Sequence, residues 1–210
     1  MAKYYNGFAG PFYGRLGSTV GYEWKGKFCM RSVGAVRNPR TRQQQAGRRV
    51  FSVTSHLAST LSDATKLGLR GMAADAKTSE HNMFVKLNRH YVNLVDNEVE
   101  IDYPSIRVAA GTLAGVLFGT PQVTAGRTVT ADFSTAEGMD ASYGDYVYLF
   151  AYCPTLEQGF LSQPAKRYSG HVSDTLPQCW SGQRSHLYGF VWDTDLTASD
   201  STYLGIIEVA

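Results

Sequence analysis

Acidic residues are almost missing from the first fifty positions, where Glu23 stands alone against ten lysines and arginines; residues 51–210 carry seventeen acids against ten bases. The formal net charge of +2 therefore hides a polarised chain, and that asymmetry bears on partners and solubility rather than on chemistry. Cysteine is scarce too. Cys29, Cys153 and Cys179 are odd in number and widely spaced, which excludes a disulfide scaffold and a C-x-x-C metal or redox site and leaves them as small buried hydrophobes. No apolar run approaches the roughly 18 residues of a membrane span. The segment Met1-Ala2-Lys3-Tyr4-Tyr5-Asn6-Gly7 has no apolar h-region, so no signal peptide is expected, and a cytoplasmic or virion location follows.

Catalytic signatures are equally absent. The histidines His56, His81, His90, His171 and His186 form no H-E-x-x-H pattern. Gly7-x-x-Gly10 and Gly14-x-x-Gly17 lack the following Gly-Lys-Ser/Thr of a phosphate loop, so these glycines read as backbone hinges or close contacts. Gly-x-Ser-x-Gly does not occur, and neither Cys153 nor Cys179 has a local activating partner. Asp193 with Asp195, and Glu98 with Glu100 and Asp102, read as solvated surface, with a Ca²⁺ site the alternative. No catalytic residue, metal ligand or cofactor is assigned, and enzyme activity is not expected.

With 43 % hydrophobic residues in 210, the chain can bury a core without staples. Its patterning predicts an α+β fold in four stretches. Residues 1–36 interleave six glycines between Gly7 and Gly26 with aromatics, which excludes a helix, and Ser18–Val33 reads as a β-hairpin turning at Lys25-Gly26-Lys27. A lone hairpin is marginal in water, so this arm must lie on something else. Residues 37–95 form a small helical unit. Its first helix is capped by Thr41 with Gln44 and buries the stripe Ala46, Val50, Val53, Leu57 and Leu61, widened by Phe51. A second helix around Asp63–Ala76 is weakened by Gly68 and Gly71, and a third runs from a Ser79 cap to about Val92. Residues 96–120 read as a linker, with Ile101–Ala109 a strand or extended segment. Residues 121–210 carry seven short strands, Gln122–Thr124, Thr128–Phe133, Tyr146–Tyr152, Gly159–Ser162, Gly170–Leu176, Ser185–Trp192 and Thr202–Val209. That count predicts an antiparallel β-sandwich of the immunoglobulin or fibronectin III kind.

The one candidate site is basic. Arg31, Arg37, Arg40, Arg42, Arg48 and Arg49 fall within nineteen residues, and arginine grips phosphate or carboxylate bidentately. Three readings fit them: a solvated helix face, a seam docking on acidic surface of the same protein or a neighbour, and a nucleic-acid interface. Tyr4, Tyr5, Phe8, Phe12, Tyr13 and Trp24 are the candidate contacts of the arm.

Gly17-Ser18-x-Val20-Gly21 followed by Asn38-Pro39-Arg40-Thr41-x-x-Gln44-x-x-x-Arg48-x-x-Phe51 resembles an uncharacterised family of similar-length proteins from Bacteroidota and their phages. Trp180-Ser181-Gly182 and Ser201-x-Tyr203-Leu204-Gly205 match as well. The resemblance implies a shared fold and brings no activity. The Asn-Pro-x-Thr-x-x-Gln segment is similar to segments in phage structural proteins. The expected function is a non-enzymatic structural or assembly protein, a phage virion component that forms homo-oligomers or meets other structural proteins through its arm. A nucleic-acid-binding accessory protein using the arginine helix is one alternative. A carbohydrate- or surface-binding module presenting Trp180, Trp192 and Tyr168 is another.

Overall fold

The computed structural model describes the backbone of residues 2–3 and all of residues 10, 12–34, 38, 40–96, 98–124, 126–134 and 142–209. The chain divides into two compact units, Met1–Thr41 and Arg42–Ala210.

The first unit is a four-stranded antiparallel sheet of β1 (Ala2–Lys3), β2 (Gly14–Leu16), β3 (Thr19–Trp24) and β4 (Lys27–Ser32), in the order β1-β4-β3-β2. The expected hairpin is β3–β4. Its two-residue turn places Lys25 at φ 51° and Gly26 at φ 73°, the paired positive dihedrals of a turn whose twist matches the strands it joins. Pairing with β1 and β2 widens this hairpin into a four-stranded sheet. Among the unit's described residues only Gly21 and Cys29 are buried.

The second unit begins with α1 (Arg42–Thr60), which starts directly after Thr41. Leu57 and Leu61 are buried as the stripe predicts, whereas Ala46, Val50 and Val53 are half-buried. Phe51, expected to widen that stripe, is exposed instead. No residue of α1 before Thr54 is buried, so Phe51 lies in the N-terminal part of the helix, ahead of the stretch that enters the core. The glycine-weakened second helix is broken in two, α2 (Ser62–Gly68) and α3 (Arg70–Asp75), at the buried Leu69. Gly68 is needed there for close approach, because a Cβ on it would stand 2.4 Å from the Cβ of Ala109. Ser79 caps α4 (Glu80–Asn88) by accepting a hydrogen bond from the Asn82 backbone at 3.2 Å.

A hairpin of β5 (Val92–Val95) and β6 (Glu98–Ile101) follows α4. Beyond it, Ile101–Ala109 does not continue as a strand. The backbone makes a 3-10 turn at Tyr103–Ser105 and then an irregular run in which Ile106, Val108, Ala109 and Ala110 are buried. A buried backbone must satisfy its polar groups, and here side chains and other segments do so in place of a strand partner. The Asn88 side chain accepts from Arg107 N at 2.7 Å and donates to Arg107 O at 2.9 Å. Val108 N donates to the Ser201 hydroxyl and Ala110 N to the Gly68 carbonyl.

The remaining strands are β7 (Leu117–Phe118), β8 (Gln122–Thr124), β9 (Thr128–Ser134), β10 (Tyr146–Cys153), β11 (Gln158–Leu161), β12 (Ala165–Lys166), β13 (His171–Thr175), β14 (Arg184–Trp192) and β15 (Thr202–Glu208). All seven expected strands are among them. One antiparallel sheet has the order β11-β10-β14-β15, with β12 also on β10; in the other, β9 pairs with β13 on one side and with β7 and β8 on the other. From the immunoglobulin-type expectation the structure keeps the two antiparallel sheets sharing a buried interface.

Alternation along β10 and β14 arranges the layers. Tyr148, Phe150, Tyr152, Tyr188 and Phe190 face one way, into a cluster with Leu57, Leu61, Phe84 and Ile106 from the helical side. Val147, Leu149, Ala151, Leu187 and Val191 face the other way, onto Val129, Ala131, Phe133 and Val172 of the second sheet. The central sheet is thus covered on both faces, by helices and by a sheet, and the helices share their core with it. Cys29 and Cys153 are buried as expected. Cys179 is not: it sits in the 3-10 turn Gln178–Trp180, where Trp180 takes the inward position and leaves the thiol exposed.

Candidate functional site

The nineteen-residue arginine cluster is divided between the two units. Arg31 lies on β4 of the first unit, Arg40 precedes α1, and Arg42, Arg48 and Arg49 lie on α1 of the second. Arg37 falls outside the described residues, as do Tyr4, Tyr5 and Phe8. On α1 the helical period brings Arg42, Gln45 and Arg49 to one side. There they line an open cavity of about 660 Å³ with Gln43, Ala46 and Leu94 of β5. Arg48 is exposed, about 100° round the helix from Arg49. The helix supplies no carboxylate of its own, and Arg42 places a cation in the first turn, where the helix dipole is already positive.

In the arm, strand register sorts the side chains onto two faces. The pairs Arg15↔Val20, Val20↔Arg31, Tyr22↔Cys29 and Trp24↔Lys27 share one face. Leu16↔Thr19, Gly21↔Met30 and Glu23↔Phe28 share the other. Phe12 and Tyr13 cover part of this second face. Phe12 lies so close to Gly21 that a Cβ there would touch its ring at 2.9 Å, while Tyr13 packs edge-on to Phe28 and donates its hydroxyl to Glu23 at 2.9 Å. The candidate contacts Tyr13 and Trp24 therefore look in opposite directions. On the first face the Arg31 guanidinium sits 5.9 Å over the Tyr22 ring, and Lys25 sits 5.0 Å over Trp24. Two cavities of about 260 and 310 Å³ flank Arg31; Val20 lines both, with Tyr22 in one and Arg15 in the other.

A family model of unknown function spans residues 11–205. The chain belongs to this family, DUF6266. The family region starts within the arm and ends in β15, so it takes in β2, β3 and β4 of the arm sheet. No curated protein and no solved structure matches the chain.

The sequence reading missed an aromatic–imidazole cluster on the face of the central sheet that carries Tyr152 and Tyr188. His186 of β14 stacks on Tyr103 with ring centres 4.0 Å apart, and its Nδ1 lies 2.8 Å from the Tyr203 hydroxyl of β15. Tyr188 donates to the Tyr103 carbonyl at 2.8 Å. Burial raises the phenol pKa values of Tyr103, Tyr152, Tyr188 and Tyr203, most strongly at Tyr152 and Tyr188, so these hydroxyls stay protonated. Burial lowers the pKa of His186. The cluster offers neutral hydrogen-bonding groups, tyrosine hydroxyls and an imidazole. No sequence signal pointed to it, because Tyr103 comes from the other side of the helical layer's chain, eighty-three residues before His186.

The lowered pKa has a consequence for stability. The folded state binds a proton on His186 less readily than the unfolded chain does, so this group's contribution is present above about pH 6.5 and is lost as pH falls through the unfolded value. His186→Asn is expected to flatten that part of the acid dependence. Melting temperatures measured from about pH 7.5 down to about pH 5, across the ordinary histidine range, should fall less steeply in the variant; identical slopes would refute the assignment.

Among the described residues no three His, Cys, Asp or Glu side chains come together as a metal site, and no helix is long and apolar enough to cross a membrane. Asp193 is engaged locally, accepting from the Thr197 backbone at 2.8 Å and its hydroxyl at 2.6 Å. Of the aromatics suited to a carbohydrate surface, Trp180 is 1 % exposed and bonded to Gln158, and Trp192 is half-buried against Tyr146. Tyr168 alone is well exposed.

Proposed function

We propose that the chain is a non-enzymatic structural or assembly protein, a phage virion component, that meets neighbouring subunits through its N-terminal arm. One observation carries this reading: among the described residues of the arm, a four-stranded sheet, only Gly21 and Cys29 are buried, and large apolar side chains stand exposed. Leu16 and Tyr13 are 68 % and 64 % exposed on the face that also holds Phe28 and Met30. An apolar sheet face of this kind gains stability when another surface covers it, and apolar and aromatic groups concentrated on one patch are the composition of contact surfaces. The virion assignment rests on the Asn38-Pro39-Arg40-Thr41-x-x-Gln44 likeness, and the opposed charges of residues 1–50 and 51–210 suit a seam between copies.

Light scattering on the full chain across a concentration series tests the reading. A discrete oligomer is expected, and Leu16→Lys should shift the association to higher concentration by about tenfold or more, since a charge placed in a desolvated contact costs at least 1.4 kcal/mol. A chain that stays monomeric at the highest attainable concentration would end the proposal.

A further inference from the structure

The opposite face of the arm sheet has a different chemistry, and from it we propose a binding surface for single-stranded nucleic acid, formed by Arg15, Tyr22, Trp24, Lys27 and Arg31. This goes beyond the assembly reading and uses the face that the apolar contact leaves over. Four observations support it. Strand register aligns these five side chains on one side of β2, β3 and β4. The unit's single acid, Glu23, is on the other side and is held by Tyr13, so among the described residues the strand cations Arg15, Lys27 and Arg31 share a face with no carboxylate. Arg31 and Lys25 already sit over the Tyr22 and Trp24 rings. The cavities beside Arg31 leave room for a ligand at the cation–ring junction.

The chemistry of the ligand follows from that combination. Cations alone would suit any polyanion, an acidic protein surface included. Rings spaced two residues along a strand, about 6.6 Å apart, add a platform on which successive unpaired bases stack while their phosphates reach the flanking cations. A duplex keeps its bases inside the helix and offers such rings nothing, so the face selects single strands. Trp24 is 54 % exposed and stands at the turn, so its ring can be removed without opening a core.

Fluorescence anisotropy of the full chain with a labelled mixed-sequence DNA strand of about 12 nucleotides, within the span of small single-strand sites, is the test. Binding is expected to weaken with salt at a log–log slope of roughly −2, three phosphates at about −0.7 each. Trp24→Ala should lower affinity roughly 5- to 150-fold, the loss of one stacked base, and Trp24→Phe should restore most of it. Arg31→Gln should weaken binding and reduce the slope by about 0.7. The doubly substituted helix variant Arg42→Gln/Arg49→Gln should bind as the unaltered chain does. The proposal is overturned by any of three results: no binding at low salt, duplex bound as tightly as the single strand, or binding lost in the helix variant and kept in Trp24→Ala. A fourth result, loss on removing charge with no loss on removing the rings, would overturn it as well, since the face would then bind polyanions by charge without stacking.

Discussion

Asp145→Ala is expected to destabilise the second unit by about 3–5 kcal/mol, roughly 6–20 °C in melting temperature for a unit of its size. Arg167 is 1 % exposed and Asp145 6 %, with Nε and Oδ2 3.4 Å apart. The guanidinium also donates to the Ala114 carbonyl, and Asp145 accepts from Ser142 N at 2.9 Å. This pair therefore ties the irregular segment before β7 to the start of β10. Removing the carboxylate leaves a buried cation without its counter-charge, and Nη1 already has no hydrogen-bond partner among the described residues. The doubly apolar replacement Asp145→Leu/Arg167→Met should recover much of the loss, because it removes both desolvation costs together. Thermal unfolding of the three proteins decides the matter: a single variant as stable as the parent would show that the pair contributes nothing.

Leu149→Ala and Phe150→Ala, adjacent on β10, are each expected to lose stability heavily, about 2–5 and 3–5 kcal/mol respectively. Neighbouring strand residues point to opposite faces, so in a sheet buried on one side only one of the two would matter. Phe150 is fully buried in the cluster shared with the helices and stands against Gly159, where a Cβ would come within 2.7 Å of its ring. Leu149 is 3 % exposed in the cluster shared with the second sheet. Denaturant titration reads both losses, and a cost below about 1 kcal/mol for either, the range of an exposed site, would contradict the three-layer arrangement.

Both predictions depend on contacts that local pattern does not encode, and the contrast with what was legible is instructive. Period-two alternation and turn residues mark β8, β9, β10, β11, β13, β14 and β15, and the stripe ending at Leu57 and Leu61 marks α1. These signals are local, because the backbone period alone decides which side chains share a face. The two-residue strands β7 and β12 are too short to show a period. Ile101–Ala109 reads as a strand or an extended segment, yet at Arg107 and Val108 the hydrogen bonds come from Asn88 and Ser201 in distant parts of the chain.

The candidate site divides in the same way. Arginine density between Arg31 and Arg49 is plain in the sequence, as are the arm's aromatics and the near absence of acid among the first fifty residues. Which of those groups share a surface depends on the pairing of β2, β3 and β4, and on the unit boundary between Thr41 and Arg42. By itself, then, the sequence determined the α+β class, the hairpin at Lys25-Gly26, the strand set and the charge polarity, since each follows from local dihedral preference, side-chain period or composition. Tertiary structure decided the two-sided burial of β10 and β14, the buried Arg167–Asp145 pair, the His186–Tyr103 stack and the split between an apolar and a basic face of the arm. Those features join residues far apart in the chain, and only the packing of one layer on another, or the register of one strand against the next, brings them within reach.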